Sequence, residues 1–418
     1  MFFHNWHWKL TTQLVIWSTV FSTTNTAHAQ QVIPDNTLPN NSVVNLENNI
    51  TNITGGTQRG GNLFHSFERF GVTTRGQVNF NNTLDINNII NRVTGGNVSN
   101  IDGLIRANGA ANLFLINPAG IVFGENAQLN IGGSFIGSTA DAIWFGENNF
   151  FSAINPENTP LLSINVPLGL QYGANPGNIS VTGKGETRQF TEAFDPPSGL
   201  RVPDSKTLAL IGGNVLLEGA TLKAGAGRIE LGSVAQSGVV SIEAVEKGFS
   251  FGFDELENFG EIQLSQITAV DATGNGAGDV RVTGKNLTLT DSSVISSTQT
   301  GTEKSAGIVV DTTESVEING INDTFVVSGL YANNISKNVE ETGNITINTQ
   351  QLTVRDGATV TTNAFNGAAK GGDINIAANN FRIEAGGKVS AATFNVGNGG
   401  NLNIDAENVE VVGTANNG

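Results

Sequence analysis

The chain has no cysteine, one methionine, four histidines and charged side chains at only 14% of its 418 positions, where about 25% is usual. Each scarcity excludes something. Without cysteine there is no disulfide framework, no redox thiol and no thiolate metal site. His4, His7 and His28 all precede position 29, and His65 lies in LFHSF between aromatic residues. The usual zinc ligand sets are therefore excluded, and a Ser-His-Asp arrangement would have to use His65, which reads as a packed or capping histidine. Lysines and arginines number 21 against 37 aspartates and glutamates, a net charge of −16 with no basic stripe. That balance argues against nucleic acid or an anionic membrane surface as a partner. No segment shows an apolar helix period either.

What remains is a backbone supplied by Asn, Thr, Ser and 52 Gly, with Val, Ile and Leu in short alternating bursts. That composition favours an all-β fold. At the N-terminus, Lys9 precedes LTTQLVIWSTVF, an apolar core too short and interrupted to span a bilayer, and Ala27-His28-Ala29 precedes Gln30. This pattern predicts a signal peptide over residues 1–29 and export of the mature chain.

The C-terminal third repeats. Units beginning GDVRVTG, GIVVDTT, GNITINT, GDINIAA and GNLNIDA place Val280, Ile308, Ile345, Ile374 and Leu402 at equivalent positions, with spacings of 28, 37, 29 and 28 residues. The long spacing predicts an insertion around NDTFVVSGLYANN. Within a unit, Ile345 and Ile347, then Leu352 and Val354, then Val360 mark three short strands with inward positions two apart. Such a period without helix predicts a solenoid of the parallel β-helix type, each coil stacked on the last. Its open ends need covering. NLNIDAENVEVVG shows no cap after it, so the coils are expected to continue beyond residue 418.

One stretch stands apart, NLFLINPAGIVFG from Asn112 to Gly124. Asn117, Pro118, Ala119 and Gly120 spell a type I turn: Asn117 can accept from a backbone N–H two residues on, Pro118 presets φ, and Gly120 suits the fourth position. Leu113–Ile116 and Ile121–Phe123 are apolar without alternation, which predicts strands covered on both faces. They are the expected cap of the first coil.

From Val32 to about Ser241 the chain resembles the N-terminal secretion domain of the filamentous haemagglutinin family, the exoproteins of two-partner secretion (TPS), in its cyanobacterial form. The resemblance rests on the collinear order of NLFHSFERFGV (Asn62–Val72), NIINRVTGG (Asn88–Gly96), the run Ser99–Ala140, NFFSAINP and LLSINVPLGLQYG (Asn149–Gly173), and the run Leu200–Val234. It implies a right-handed parallel β-helix with an N-terminal cap and extra-helical strands. The implied organisation is a signal peptide at 1–29, a secretion domain at 30–270 and β-helix repeats at 271–418. The implied partner is an outer-membrane TpsB-type β-barrel transporter with periplasmic POTRA domains. Asn117, Pro118, Ala119 and Gly120 stand where the family carries Asn-Pro-Asn-Gly, with Ala in place of the second Asn. No counterpart of the family's Asn-Pro-Asn-Leu motif occurs in Asn79–Ile90. Two readings of the turn stay open, turn chemistry alone and presentation of the chain to the transporter.

The expected function is that of a secreted or cell-surface exoprotein whose coils form a monomeric fibre for adhesion, with a host-cell or carbohydrate surface as its ligand and no cofactor. β-Helices also host carbohydrate-active enzymes, but those need carboxylates or an Arg/Lys-plus-carboxylate cluster on one coil face. Arg355 with Asp356 and Arg382 with Glu384 read as solvated surface instead. Haem-capture and cytolysin exoproteins share this export domain, and their cargo would lie beyond residue 418 or in loops such as Ser328–Glu341. GNGAGDV at Gly274–Val280 approaches a calcium-binding nonapeptide but has Ala277 at a required Gly and no tandem repeat, so turn followed by strand is the better reading.

Overall fold

The computed structural model describes residues 31–157, 166–185, 199–303, 306–320, 327–337, 342–366, 370–394 and 396–413. The expected signal peptide lies outside them. The described residues fall within one compact unit, Gln31–Gly418, and none of them is helical.

Alternation of apolar and polar residues over a fixed coil length produces a parallel β-helix. On one face, Asn62–Arg69, Asn88–Val93, Asn112–Ile116, Phe135–Ser138, Thr207–Gly212, Arg228–Ser233 and Asp279–Leu289 pair in parallel, each with the next. The ladder then passes Val280↔Ile308, Ile308↔Ile345, Ile345↔Ile374 and Ile374↔Leu402, the stack expected from the repeat. One inner core runs through the coils, from Val72 and Ile89 past Leu210 and Val280 to Phe381. A fully buried Val or Ile contributes roughly 1.5–3 kcal/mol, so stability accumulates coil by coil.

Two details of the repeat differ from expectation. Residues 345–347 and 352–354 belong to one strand, Asn344–Arg355, whose pairing with the preceding coil shifts register between Asp311 and Ser315. The polar stretch from Asn348 to Gln351 lets the ladder carry on through the corner, so the first two expected strands are one, while the third, at Val360, is separate as Thr359–Thr361. The segment around NDTFVVSGLYANN is not all insertion: Gly329–Tyr331 is a strand of the next face, paired with Val294–Ser296 and Thr359–Thr361. Ser328, Asn333 and Asn334 are buried, so 328–334 is column where an exposed loop was expected; 338–341 lie outside the described residues.

The cap is also elsewhere. The first coil is closed by antiparallel pieces that precede it: Ile33–Pro34 and Thr57–Arg59 both pair with Asn62–Arg69, and Ser42–Glu47 forms a hairpin with Ile50–Gly55. Asn112–Ile116 lies inside the column, between Asn88–Val93 and Phe135–Ser138. It is covered on both faces because a second layer packs outside it. Ala142–Trp144, Phe150–Ser152, Gly169–Tyr172, Gly238–Val245 and Gly248–Gly252 form a five-stranded antiparallel sheet. Leu113 and Leu115 point into the inner core, while Phe114 and Ile116 join Ile143, Phe151, Leu170, Val240 and Phe249 in an outer one. Leu208 and Leu210 against Ala209 and Ile211 divide in the same way.

Candidate functional site

The Asn-Pro-Ala-Gly turn is a corner between two faces of one coil. The strands it joins do not pair with each other: Ile121–Phe123 pairs with Ser99–Ile101 and Ile179–Thr182. The Gly120 amide donates to the Asn117 carbonyl at 3.0 Å, and the Ala119 amide donates to Asn117 Oδ1 at 3.0 Å. These are the two bonds the turn chemistry predicts. Gly120 has φ +123°, a conformation side chains rarely adopt.

Asn117 does more than shape the turn. Its Nδ2 donates to the Asn97 carbonyl and to Ser99 Oγ, both at 2.9 Å, in the preceding coil. On the other side, the Gly177 amide donates to the Pro118 carbonyl at 3.0 Å. A Cβ on Gly177 would sit 2.6 Å from backbone atoms of the turn, so only glycine permits this approach. The side chain of Asn117 is wholly buried and its amide is occupied within the fold. Pro118 and Ala119 are half-buried, and Gly120 is buried.

A second polar site, whose role the sequence did not reveal, ties the cap to the outer sheet. Arg92 is fully buried on the outer side of Asn88–Val93. Its Nε donates to Ser66 Oγ at 2.7 Å, Nη1 to the Ser152 carbonyl at 2.7 Å, and Nη2 to Thr37 Oγ1 at 2.8 Å and the Pro156 carbonyl at 3.2 Å. The guanidinium lies 4.3 Å over the Phe151 ring. Burial lowers its pKa to about 10, with Asp35 and Glu157 opposing the shift. The available signal was a lone Arg inside the apolar run NIINRV. On the same outer face, Ser138 Oγ and Tyr172 Oη are 2.7 Å apart, and Tyr172 Oη donates to the Ile211 carbonyl at 2.8 Å. Burial raises the Tyr172 pKa.

His65 lies 2.9 Å from Ser42 Oγ through Nδ1 and packs between Phe67 and Phe80. Burial lowers its pKa to about 3, so it is neutral and sealed from substrate. No group of three or more His, Cys, Asp or Glu among the described residues could hold a metal ion. Arg355 pairs with Glu317 at 2.6 Å, and Arg382 with Glu384 at 2.6 Å and Glu410 at 2.7 Å. Arg355–Glu317 and Arg382–Glu410 link adjacent coils on the exposed surface, and Arg382–Glu384 lies within one strand; exposed pairs of this kind add little to stability.

The family model of the TPS secretion domain matches residues 30–282, more than half of the chain. The chain belongs to the TPS secretion domain family. Among solved structures, the HMW1 secretion domain from Haemophilus influenzae superposes with a TM-score of 0.54 at 18% identity, covering 91% of this chain and 98% of that one. It shares the fold. The filamentous hemagglutinin secretion domain aligns over 92% of this chain and all of that one, at 15% identity and a TM-score of 0.35. A heme/hemopexin-binding protein of Haemophilus influenzae is 37% identical over 86 residues, 20% of this chain and 9% of that relative's length. The match makes this chain the secretion-domain part of a two-partner secretion exoprotein.

Proposed function

We propose that the capped and sheathed part of the column is an export address, read by a TpsB-type β-barrel with POTRA domains, and that the bare coils after it are an adhesive surface carried outside the cell. The observation behind this reading is a coincidence of boundaries. The cap and the outer sheet reach from Ile33 to Gly252, and the family match extends from 30 to 282. Regular coils of long strands follow, beginning with Asp279–Leu289. The elements that set this chain apart from a plain solenoid therefore lie within the matched span.

Within that span, Pro118 and Ala119 are the members of the Asn-Pro-Ala-Gly turn with surface to offer a transporter, while Asn117 holds the turn in place. Export without ATP follows from the same architecture. Parallel coil pairing is non-local and slow to begin, so the chain can be threaded unfolded, and each coil that emerges adds to a finished edge. The test is secretion of residues 1–289 from a host with and without the cognate barrel. Export that needs the barrel and survives removal of 290–418 supports the reading. Export independent of the barrel overturns it.

A further inference from the structure

The outer sheet ends at Gly252, and the column surface just beyond it carries a groove of about 430 Å³. Phe251, Phe253, Asp254 and Phe259 border it, and its floor is Arg281, Thr283, Asp311, Thr312, Thr313 and Asn348. Phe253 and Phe259 are half-buried: both pack against the outer core, and what remains of them borders the groove. The floor is periodic. Thr283, Asp311 and Asn348 occupy one register position in three successive coils, hence about 4.8 Å apart, close to the length of one sugar ring. A second concavity of about 490 Å³ shares Asn348 and continues along the column past Asn375, Asn403 and Asp405.

We propose that this groove binds a linear, neutral oligosaccharide lying along the column axis. Three features select that ligand. Asn348 Nδ2 donates to Asp311 Oδ1 at 2.7 Å and Thr312 Oγ1 to Thr349 Oγ1 at 2.7 Å, which fixes the floor and leaves the Thr283 and Thr313 hydroxyls, Asn348 Oδ1 and the second Asp311 oxygen as the donors and acceptors for sugar hydroxyls. The half-buried side chains of Phe253 and Phe259 at one end offer an apolar surface to the C–H face of a pyranose. Arg281 is outnumbered by Asp254 and Asp311 in a protein of net charge −16, which disfavours uronates and sulfated sugars. A peptide adding to the Gly248–Gly252 edge is the other occupant such a groove admits. At Phe249 that edge is already engaged, because the Phe249 amide donates to Thr207 Oγ1 at 2.9 Å and Thr207 Oγ1 donates to the Phe249 carbonyl at 3.0 Å, which leaves a peptide too short a run of edge to add as a strand.

The proposal rests on the display reading only for its biological setting, since binding is measured on the purified chain whether or not the barrel exports it. Calorimetric titrations use cellopentaose, laminaripentaose and maltopentaose, with tetragalacturonate as the anionic control. The expected result is binding of at least one neutral glucan, weakened tenfold or more by Asp311→Ala and by Thr313→Trp. Thr313 is exposed, so the bulky variant obstructs the groove without entering a core, and unchanged thermal denaturation verifies this. Absence of binding by all three glucans, unchanged affinity in both variants, or preference for tetragalacturonate overturns the proposal.

Discussion

Asn117 Nδ2 and Ser99 Oγ are 2.9 Å apart, and both side chains are fully buried. One asparagine thereby fixes its own turn and fastens that turn to the preceding coil. Asn117→Ala removes three side-chain hydrogen bonds and leaves Ser99 Oγ without its Asn117 donor in a dry site, at about 1–3 kcal/mol for the stranded group. Ala119→Asn, at a half-buried position, is expected to change stability by less than about 0.5 kcal/mol. Urea unfolding of the two variants measures the contrast. Secretion assays on the same pair then separate folding from recognition: a stable Ala119 variant with altered export assigns that surface to the transporter, whereas loss of export only in the unstable Asn117 variant assigns the turn to structure.

The two-sided burial of Asn112–Ile116 makes a second prediction. Phe114 meets Phe249 edge to face at 5.4 Å across the outer core, and the coil's own pairing does not depend on it. Phe114→Ala is expected to cost about 3–5 kcal/mol and to loosen the outer sheet first. Limited proteolysis should then cut within 238–252 while the repeats after Asp279 stay resistant. Uniform cleavage along the chain would mean that the sheet and the column unfold as one.

How much of this was legible beforehand differs along the chain. Val280, Ile308, Ile345, Ile374 and Leu402 could be aligned by eye because a fixed coil length and alternating burial leave a period in the sequence. The doubly apolar run LFLI announced two covered faces but not the cover. The strands that supply it lie some 30 to 130 residues further on, as Ala142–Trp144 and Gly248–Gly252, and no local signal links them. The run by itself therefore reads as the cap, whereas the cap is made of Ile33–Pro34, Thr57–Arg59 and the Ser42–Gly55 hairpin. The turn-forming role of Asn117 is legible in the sequence because its bond to Ala119 is local. Its bonds to Asn97 and Ser99 depend on coil stacking, as do the contacts of Arg92.

Two buried groups give opposing pH dependences. His65 is held neutral, its pKa lowered from 6.5 to about 3 by burial. The unfolded chain therefore binds one more proton than the folded one between those values, and stability rises with pH across that window. Glu230 has its pKa raised from 4.5 to about 7 by burial, with Arg228 and Arg281 opposing the shift. There the folded chain binds the extra proton, so stability falls as pH rises from 4.5 to 7. Each slope approaches about 1.4 kcal/mol per pH unit, and the two cancel between 4.5 and 6.5. Urea midpoints measured across this range should fall with pH in His65→Gln and rise with pH in Glu230→Gln. Parallel profiles for the two variants would refute the assignment.

The last prediction concerns threading. Thr288 and Glu317 are register partners on adjacent coils, about 4.8 Å apart, which suits a disulfide. The natural chain contains no cysteine. Thr288→Cys with Glu317→Cys would close a loop of some 30 residues while sacrificing a surface ion pair to Arg355 worth about 0–1 kcal/mol. If the chain crosses the barrel unfolded, a bond formed in an oxidising periplasm turns a single strand into a loop that a narrow pore rejects. Export of the double variant should therefore fall sharply in a host with periplasmic disulfide oxidase and recover when that oxidase is deleted or reductant is added. Each single variant should export normally in both hosts. Full export of the oxidised double variant, with the bond shown to form before crossing, would mean that the coils pass the membrane already folded.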